Sequence, residues 1–258
     1  MTEIPASHPR KASLETRERL VQGFRRGLVA EQGLLAHGRG EAFDYLLAER
    51  TQPFATRAIR AAAAHLRLAA RPVVSVNGNV AALCPEAVAR VAKAAGARVE
   101  VNLFHRTEER VARIVDWLES HGCEKVLGAH PDARIPGIDH ARALCRKEGI
   151  FGADVVLVPL EDGDRAQALA AMGKDVLTID LNPLSRTAVA GTVTIVDNVV
   201  RALPAMAAEL EGGFAPDSAR EFLESYNNAQ SLLEAETFLR AQTRALAGLA
   251  DSGPRRMV

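Results

Sequence analysis

Cysteine is scarce in this chain, and its spacing excludes a disulfide framework. Cys84, Cys123 and Cys145 are odd in number, widely separated and without a CxxC pair, so they read as reduced, mostly core residues of a cytoplasmic protein. An excess of one charge is also missing. Lysine plus arginine and aspartate plus glutamate stand at 32 each, so no overall field draws the chain to nucleic acid or to an anionic membrane. Any anion must be held locally. No apolar run reaches the eighteen or so residues of a membrane span; even Ala61 to Ala70 is broken by His65 and Arg67. A signal-like N-terminus, an internal repeat, a low-complexity block, a Pro/Ser linker and a GxGxxG fingerprint are all lacking.

What is present is a large apolar fraction, 48% of 258 residues, enough to fill the core of one large α/β domain spanning 1–258. Its pattern has three parts. Residues 1–70 read as a helical layer, with Ser13 as a candidate N-cap, Leu20, Phe24 and Leu28 at four-residue spacing, and an Ala-rich segment from Ala58. Residues 71–204 alternate β-branched runs with helical stretches: "PVVSVN", "RVEVNLF", "KVLGA", "ADVVLVPL", "DVLTID" and "TVTIVD". Such alternation predicts a Rossmann-like, mostly parallel sheet of about six strands covered on both faces. Residues 205–258 hold two further helices and a frayed tail, "DSGPRRMV".

In a sheet of this kind ligands bind at the carboxyl ends of the strands, and the polar clusters of this chain fall there. Asn77-Gly78-Asn79 is either a tight turn or a binding loop. Asp162-Gly163-Asp164 is either a turn with a helix N-cap or a metal-binding pair. The stretch from 179 to 198, "IDLNPLSRTAVAGTVTIVDN", is richer: Pro183 blocks strand continuation, and Ser185, Arg186 and Thr187 offer hydroxyls and a guanidinium suited to phosphate oxygens. In the N-terminal layer, His37-Gly38-Arg39-Gly40 is expected just before an amphipathic helix, where amides and Arg39 could face an anion. Arg17 shares a helix face with Leu20, Val21, Phe24 and Leu28, so its charged head must snorkel to solvent or meet a buried anion.

The segments "SHPRKASLETRERL", "AHGRGEAFDYLL", "PVVSVNGNVAAL", "VEVNLFHRTEERV", "VLVPLEDGDR", "IDLNPLSRTA" and "TIVDN", in consistent order from about Ser7 to about Tyr226, together resemble the archaeal phosphopantothenate synthetase family. The resemblance implies a Rossmann-like homodimer that joins 4-phosphopantoate to β-alanine with ATP, giving 4′-phosphopantothenate, AMP and pyrophosphate in coenzyme A biosynthesis. Carried over by motif, ATP contacts fall on Arg17, Arg39, Asp180, Leu181, Asn182, Arg186, Thr187, Asp197 and Asn198. The phosphopantoate pocket is expected at His37, Asn77, Gly78, Asn79 and Arg106, with Mg²⁺ bridging the triphosphate and its protein ligands unassigned. AMP as product implies attack at the α-phosphorus and an acyl-adenylate opened by the amine, so no covalent nucleophile is needed. Another nucleotide-dependent Rossmann-type enzyme, or a non-catalytic nucleotide-binding regulator, are the alternatives.

Overall fold

The computed structural model describes residues 4–213 and 215–250; the tail expected to fray, 251–258, lies outside them. Three helices open the chain: α1 (Lys11–Arg25), α2 (Glu31–Leu46) and α3 (Pro53–Leu68). Strand β1 (Pro72–Val76) leads into α4 (Gly78–Leu83) and α5 (Pro85–Ala95), then β2 (Arg98–Val101) and α6 (Glu108–Ser120). A segment from 121 to 154 carries the short antiparallel pair β3 (Ala133–Arg134) and β4 (Leu144–Cys145). The rest alternates β5 (Val155–Pro159), α7 (Gly163–Ala171), β6 (Asp175–Ile179), α8 (Arg186–Ala190) and β7 (Val193–Ile195) before α9 (Val199–Gly212), α10 (Pro216–Ser225) and α11 (Asn228–Ala250).

The sheet is parallel throughout, in the order β2-β1-β5-β6-β7. After β2 the chain crosses back to pair β5 with β1, so the strand order reverses at the β1/β5 junction. In a doubly wound sheet that reversal leaves a crevice beyond the carboxyl ends of the two strands. Both faces are buried, which explains the continuous apolar runs. On one face Val74, Val76, Val155, Leu157, Leu177 and Ile179 join the core with α3, α5 and α9. On the other, Val73, Val156, Val158 and Val176 pack with α7 and the 133–153 segment.

Five strands form this sheet where six were expected. The run Lys125–Ala129 adds only the isolated bridge Glu100↔Leu127 at the β2 edge. At φ +124° Gly128 turns the chain away, and a Cβ there would lie 2.6 Å from the Val101 carbonyl oxygen. Ser13 is not an N-cap: α1 begins two residues earlier, and the Ser13 hydroxyl donates to Glu41 instead. His37-Gly38-Arg39-Gly40 lies inside α2, which starts at Glu31. Its amides are spent on helical bonds, so no anion-binding helix end exists there.

Candidate active site

At the β1/β5 junction a cavity of about 640 Å³ opens beneath α2. Asn77 ties its two strand ends together. Its Nδ2 donates to the Pro159 and Leu160 carbonyls at 3.1 and 3.0 Å, while its Oδ1 accepts from the Asn79 and Val80 amides and so caps α4. The Leu160 backbone is held at φ +55°, a conformation costly for a branched side chain, and it turns the following carboxylates toward the crevice. Ser185 and Asn198 cap α8 and α9 in the same way, from the Ala188 and Val200 amides. Much of the polarity at this sheet edge therefore satisfies helix N-termini buried against the core.

The roof is α2, whose Gly33, His37 and Gly40 line the cavity at helical spacing. Two of these three positions lack a side chain, which keeps the space beneath open and lets Asn79 donate to the Gly33 carbonyl at 2.8 Å. Burial pushes the His37 imidazole below its ordinary value, against the charge of Glu41, so at neutral pH it faces the cavity uncharged.

Cations gather on the floor. Arg110 is half-buried and held by carbonyls, its Nε donating to Leu28 at 3.0 Å and Nη1 to His105 at 2.8 Å. Burial lowers its pKa first and the charge of Arg142 lowers it further. Arg142 is almost fully buried and pairs with Glu161 and, at 2.9 Å, with Asp162. The Glu161 carboxylate also takes Arg165, itself fully buried and donating to Ser75 Oγ at 3.2 Å. A chain Ser75–Arg165–Glu161–Arg142 thus runs from the core to the cavity wall. Arg110 and Arg142 both line this cavity, and the Arg142 charge is itself offset by the carboxylates of Glu161 and Asp162.

Across the cavity lies the loop after β6. Burial raises the pKa of Asp180, opposed by the Ser185 hydroxyl, the Asn182 amide at 2.9 Å and the charge of Arg39. The side chains of Arg39 and Arg186 line the cavity and make no hydrogen bond or salt bridge among the described residues. Gly163 allows α7 to start directly against α8: a Cβ there would lie 2.4 Å from Arg186 Cβ.

Of the residues expected at the site, His37, Arg39, Asn77, Gly78, Asn79, Asp180, Leu181, Asn182, Arg186, Thr187 and Asn198 line this one cavity. Three do not. Arg17 pairs with Glu41 at 2.9 Å, Arg106 donates to the Gly128 and Ala129 carbonyls, and Asp197 is buried between Thr51 and Arg201. Arg110, Arg142 and Glu161 escape sequence reasoning. Only Glu161, a carboxylate closing an apolar strand run, left a local signal.

Two substitutions probe this packing. In Gly78→Ala the new Cβ would lie 2.2 Å from the Leu28 carbonyl oxygen and 2.6 Å from Arg110 Nη2. The variant should lose about 1–3 kcal/mol in urea unfolding and displace Arg110. Gly38→Ala meets nothing within 4 Å and should gain about 0.5–1 kcal/mol of helix stability. If both change stability alike, crowding at Gly78 is not the cause. A separate test is offered by Glu100, fully buried on β2, whose carboxyl burial pushes up to about 7 against the Ile150 and Arg146 amides and the charges of Arg165 and Arg146. A carboxyl that titrates higher folded than unfolded contributes stability below about pH 4.5, lost as pH rises through about 7. Relative to Glu100→Gln, the wild type should therefore lose on the order of 3 kcal/mol between pH 4.5 and 7.5. Urea unfolding at the two pH values checks it, and a pH-independent difference would refute it.

The doubly wound parallel sheet, with a cavity lined by Arg39, Arg110, Arg142 and Arg186 where its strand order reverses, is of the α/β class whose ligand crevice lies at the carboxyl ends of the strands. Residues 54–242 match the family model described as Phosphopantothenate/pantothenate synthetase, and the chain belongs to that family. It is 51% identical over 251 residues to a protein of Thermococcus kodakarensis, covering 96% of each chain. It is 49% identical to one of Methanosarcina mazei, over 96% of this chain and 98% of that one. With one of Methanospirillum hungatei it shares 57% over 200 residues, 78% of this chain and 82% of the relative. All three relatives bear the name 4-phosphopantoate--beta-alanine ligase.

Proposed function

We propose that this chain is a ligase that joins 4-phosphopantoate to β-alanine with ATP, releasing AMP and pyrophosphate and forming 4′-phosphopantothenate for coenzyme A synthesis. The observation that carries this reading is the facing pair Arg110 and Arg142. Each lines the cavity and keeps an Nη2 group without a hydrogen bond among the described residues, Arg110 beyond its carbonyl anchors and Arg142 beyond Glu161 and Asp162, and two such donors suit the oxygens of a phosphomonoester. Arg39 and Arg186, across the cavity, suit the triphosphate, and Asp180 to Asn182 with Asn198 suit the nucleoside side.

The chemistry follows from this division. Both reactants of the first step are polyanions, and the two cationic walls offset their repulsion while setting the carboxylate of the acid against the α-phosphorus. Pyrophosphate leaves toward Arg186. The amine of β-alanine then attacks the acyl carbon, and AMP departs. Mg²⁺ would bind as a companion of the triphosphate, with Asp180 as the carboxylate on the cavity wall suited to it, and would neutralise phosphate charge there. Three free buried cysteines support a reducing, cytoplasmic setting. The homodimer rests on the family resemblance alone. No helix among the described residues is long and apolar enough to cross a membrane.

The decisive experiment follows exchange of labelled pyrophosphate into ATP. Exchange should need 4-phosphopantoate but not β-alanine. A requirement for the amine, or ADP as product, would overturn the adenylate route, and binding of ATP without any turnover would leave a regulator.

A further inference from the structure

Strand β2 is an edge of the sheet, and its side chains alternate. Val99 and Val101 enter the main core; Glu100 and Asn102 point the other way, and they are 0% and 1% exposed. Two polar groups buried at a sheet edge are expensive unless hydrogen-bonded, and here every polar side-chain atom of the two but Asn102 Oδ1 has a partner among the described residues. Glu100 Oε1 accepts from the Arg146 amide at 2.8 Å and Oε2 from the Ile150 amide at 2.7 Å. Asn102 Nδ2 donates to the carbonyls of Arg142 at 3.2 Å and Leu144 at 3.0 Å.

All four bonds go to backbone, and all fall between residues 142 and 150. Other anchors of that stretch are the two β3/β4 residue pairs, the Lys147 amide donating to Asp132 at 2.7 Å, and the buried Ala143, Cys145 and Ile150. Gly149 shows how closely it is drawn in, since a Cβ there would lie 2.0 Å from Glu100 Oε2. At one end of the stretch stands Arg142, whose guanidinium reaches Glu161 and Asp162 at the cavity wall.

We infer that Glu100 and Asn102 are positioning residues for substrate binding: together they fix the backbone from which Arg142 reaches the phosphate of the acid substrate. Neither lines the cavity, so they act only through Arg142. This rests on the reading that Arg142 receives that phosphate.

A double-mutant cycle on the full chain separates positioning from mere support. Steady-state constants for 4-phosphopantoate and ATP are measured for Glu100→Gln, Asn102→Ala, Arg142→Ala and the double variants, with thermal midpoints recorded. Glu100→Gln forces an amide against two backbone donors and should raise KM for 4-phosphopantoate about tenfold, while KM for ATP stays within about twofold. In the Arg142→Ala background the same change should add less than about twofold, because the group it aims is gone. If Glu100→Gln folds poorly, Asn102→Ala, which removes two hydrogen bonds donated to the Arg142 and Leu144 carbonyls, gives the same comparison. An unchanged KM for the acid in a stable Glu100 or Asn102 variant, or full additivity in the cycle, overturns the inference while leaving Arg142 in its role. Should Arg142→Ala itself leave KM for the acid untouched, the phosphate reading fails and this inference fails with it.

Discussion

Arg142→Ala should lower kcat/KM for 4-phosphopantoate by about 10²–10³, the loss typical of removing one buried, charge-assisted contact to a substrate anion, about 3–4 kcal/mol. Two effects combine. The dianion loses one of its two facing cations, and Arg110, anchored by the Leu28 and His105 carbonyls, cannot swing across to replace it. Glu161, whose side chain is 2% exposed, keeps Arg165 but loses its second partner. Stability should therefore fall as well, though by less than the cost of stranding an unpaired buried charge. The discriminating measurement uses two acids. Against unphosphorylated pantoate, wild type should be far poorer than against the phosphorylated acid, and Arg142→Ala should erase most of that preference. Equal losses on both acids would show that Arg142 supports the cavity wall without reading the phosphate. Arg142→Lys keeps the charge but cannot span Glu161 and Asp162 together, so it should fall between the two.

Arg186→Ala should depress pyrophosphate exchange by about 10², with the thermal midpoint nearly unchanged, because a preorganised cation facing developing charge acts in the step where that charge appears. Stability should hold because nothing depends on this side chain. It is exposed, it makes no ion pair among the described residues, and the first turn of α8 is capped by Ser185 at 2.9 Å from the Ala188 amide. Loss of amide formation with exchange intact would move the 182–187 loop to the amine side of the cavity. A comparable drop in stability would show that the residue holds the α7/α8 contact instead.

The contrast between these two arginines shows what sequence can disclose. Arg186 sits in a local pattern: a strand that stops at a proline, then a hydroxyl, a guanidinium and a helix. Its place at the carboxyl edge is legible because the strand and the cap are both local events. The same holds for Asn77 and Asn198, and for the apolar alternation that gives the five paired strands. Arg142 belongs to no such pattern, because its carbonyl is held by Asn102, just past β2 and forty residues earlier in the chain. The sixth expected strand fails for a related reason. "KVLGA" has strand composition, but whether it pairs is decided by the turn at Gly128 against Val101. "HGRG" misleads in the opposite direction: its two glycines, Gly38 and Gly40, suggest a helix boundary, yet both lie in the interior of α2, which runs from Glu31 to Leu46.

That glycine-bearing roof has a thermodynamic consequence. Gly33, Gly38 and Gly40 within sixteen residues leave α2 with weak intrinsic helicity, each glycine costing about 1 kcal/mol relative to alanine. Its survival therefore depends on neighbours, chiefly α1, α11 and the loops below it. Such an element opens by local fluctuation well before the sheet does. Amide hydrogens of α2 should exchange faster than those of β5 or β6 in the free protein, and a bound nucleotide touching Arg39 should slow them selectively, coupling ligand occupancy to the folding of the helix that covers it.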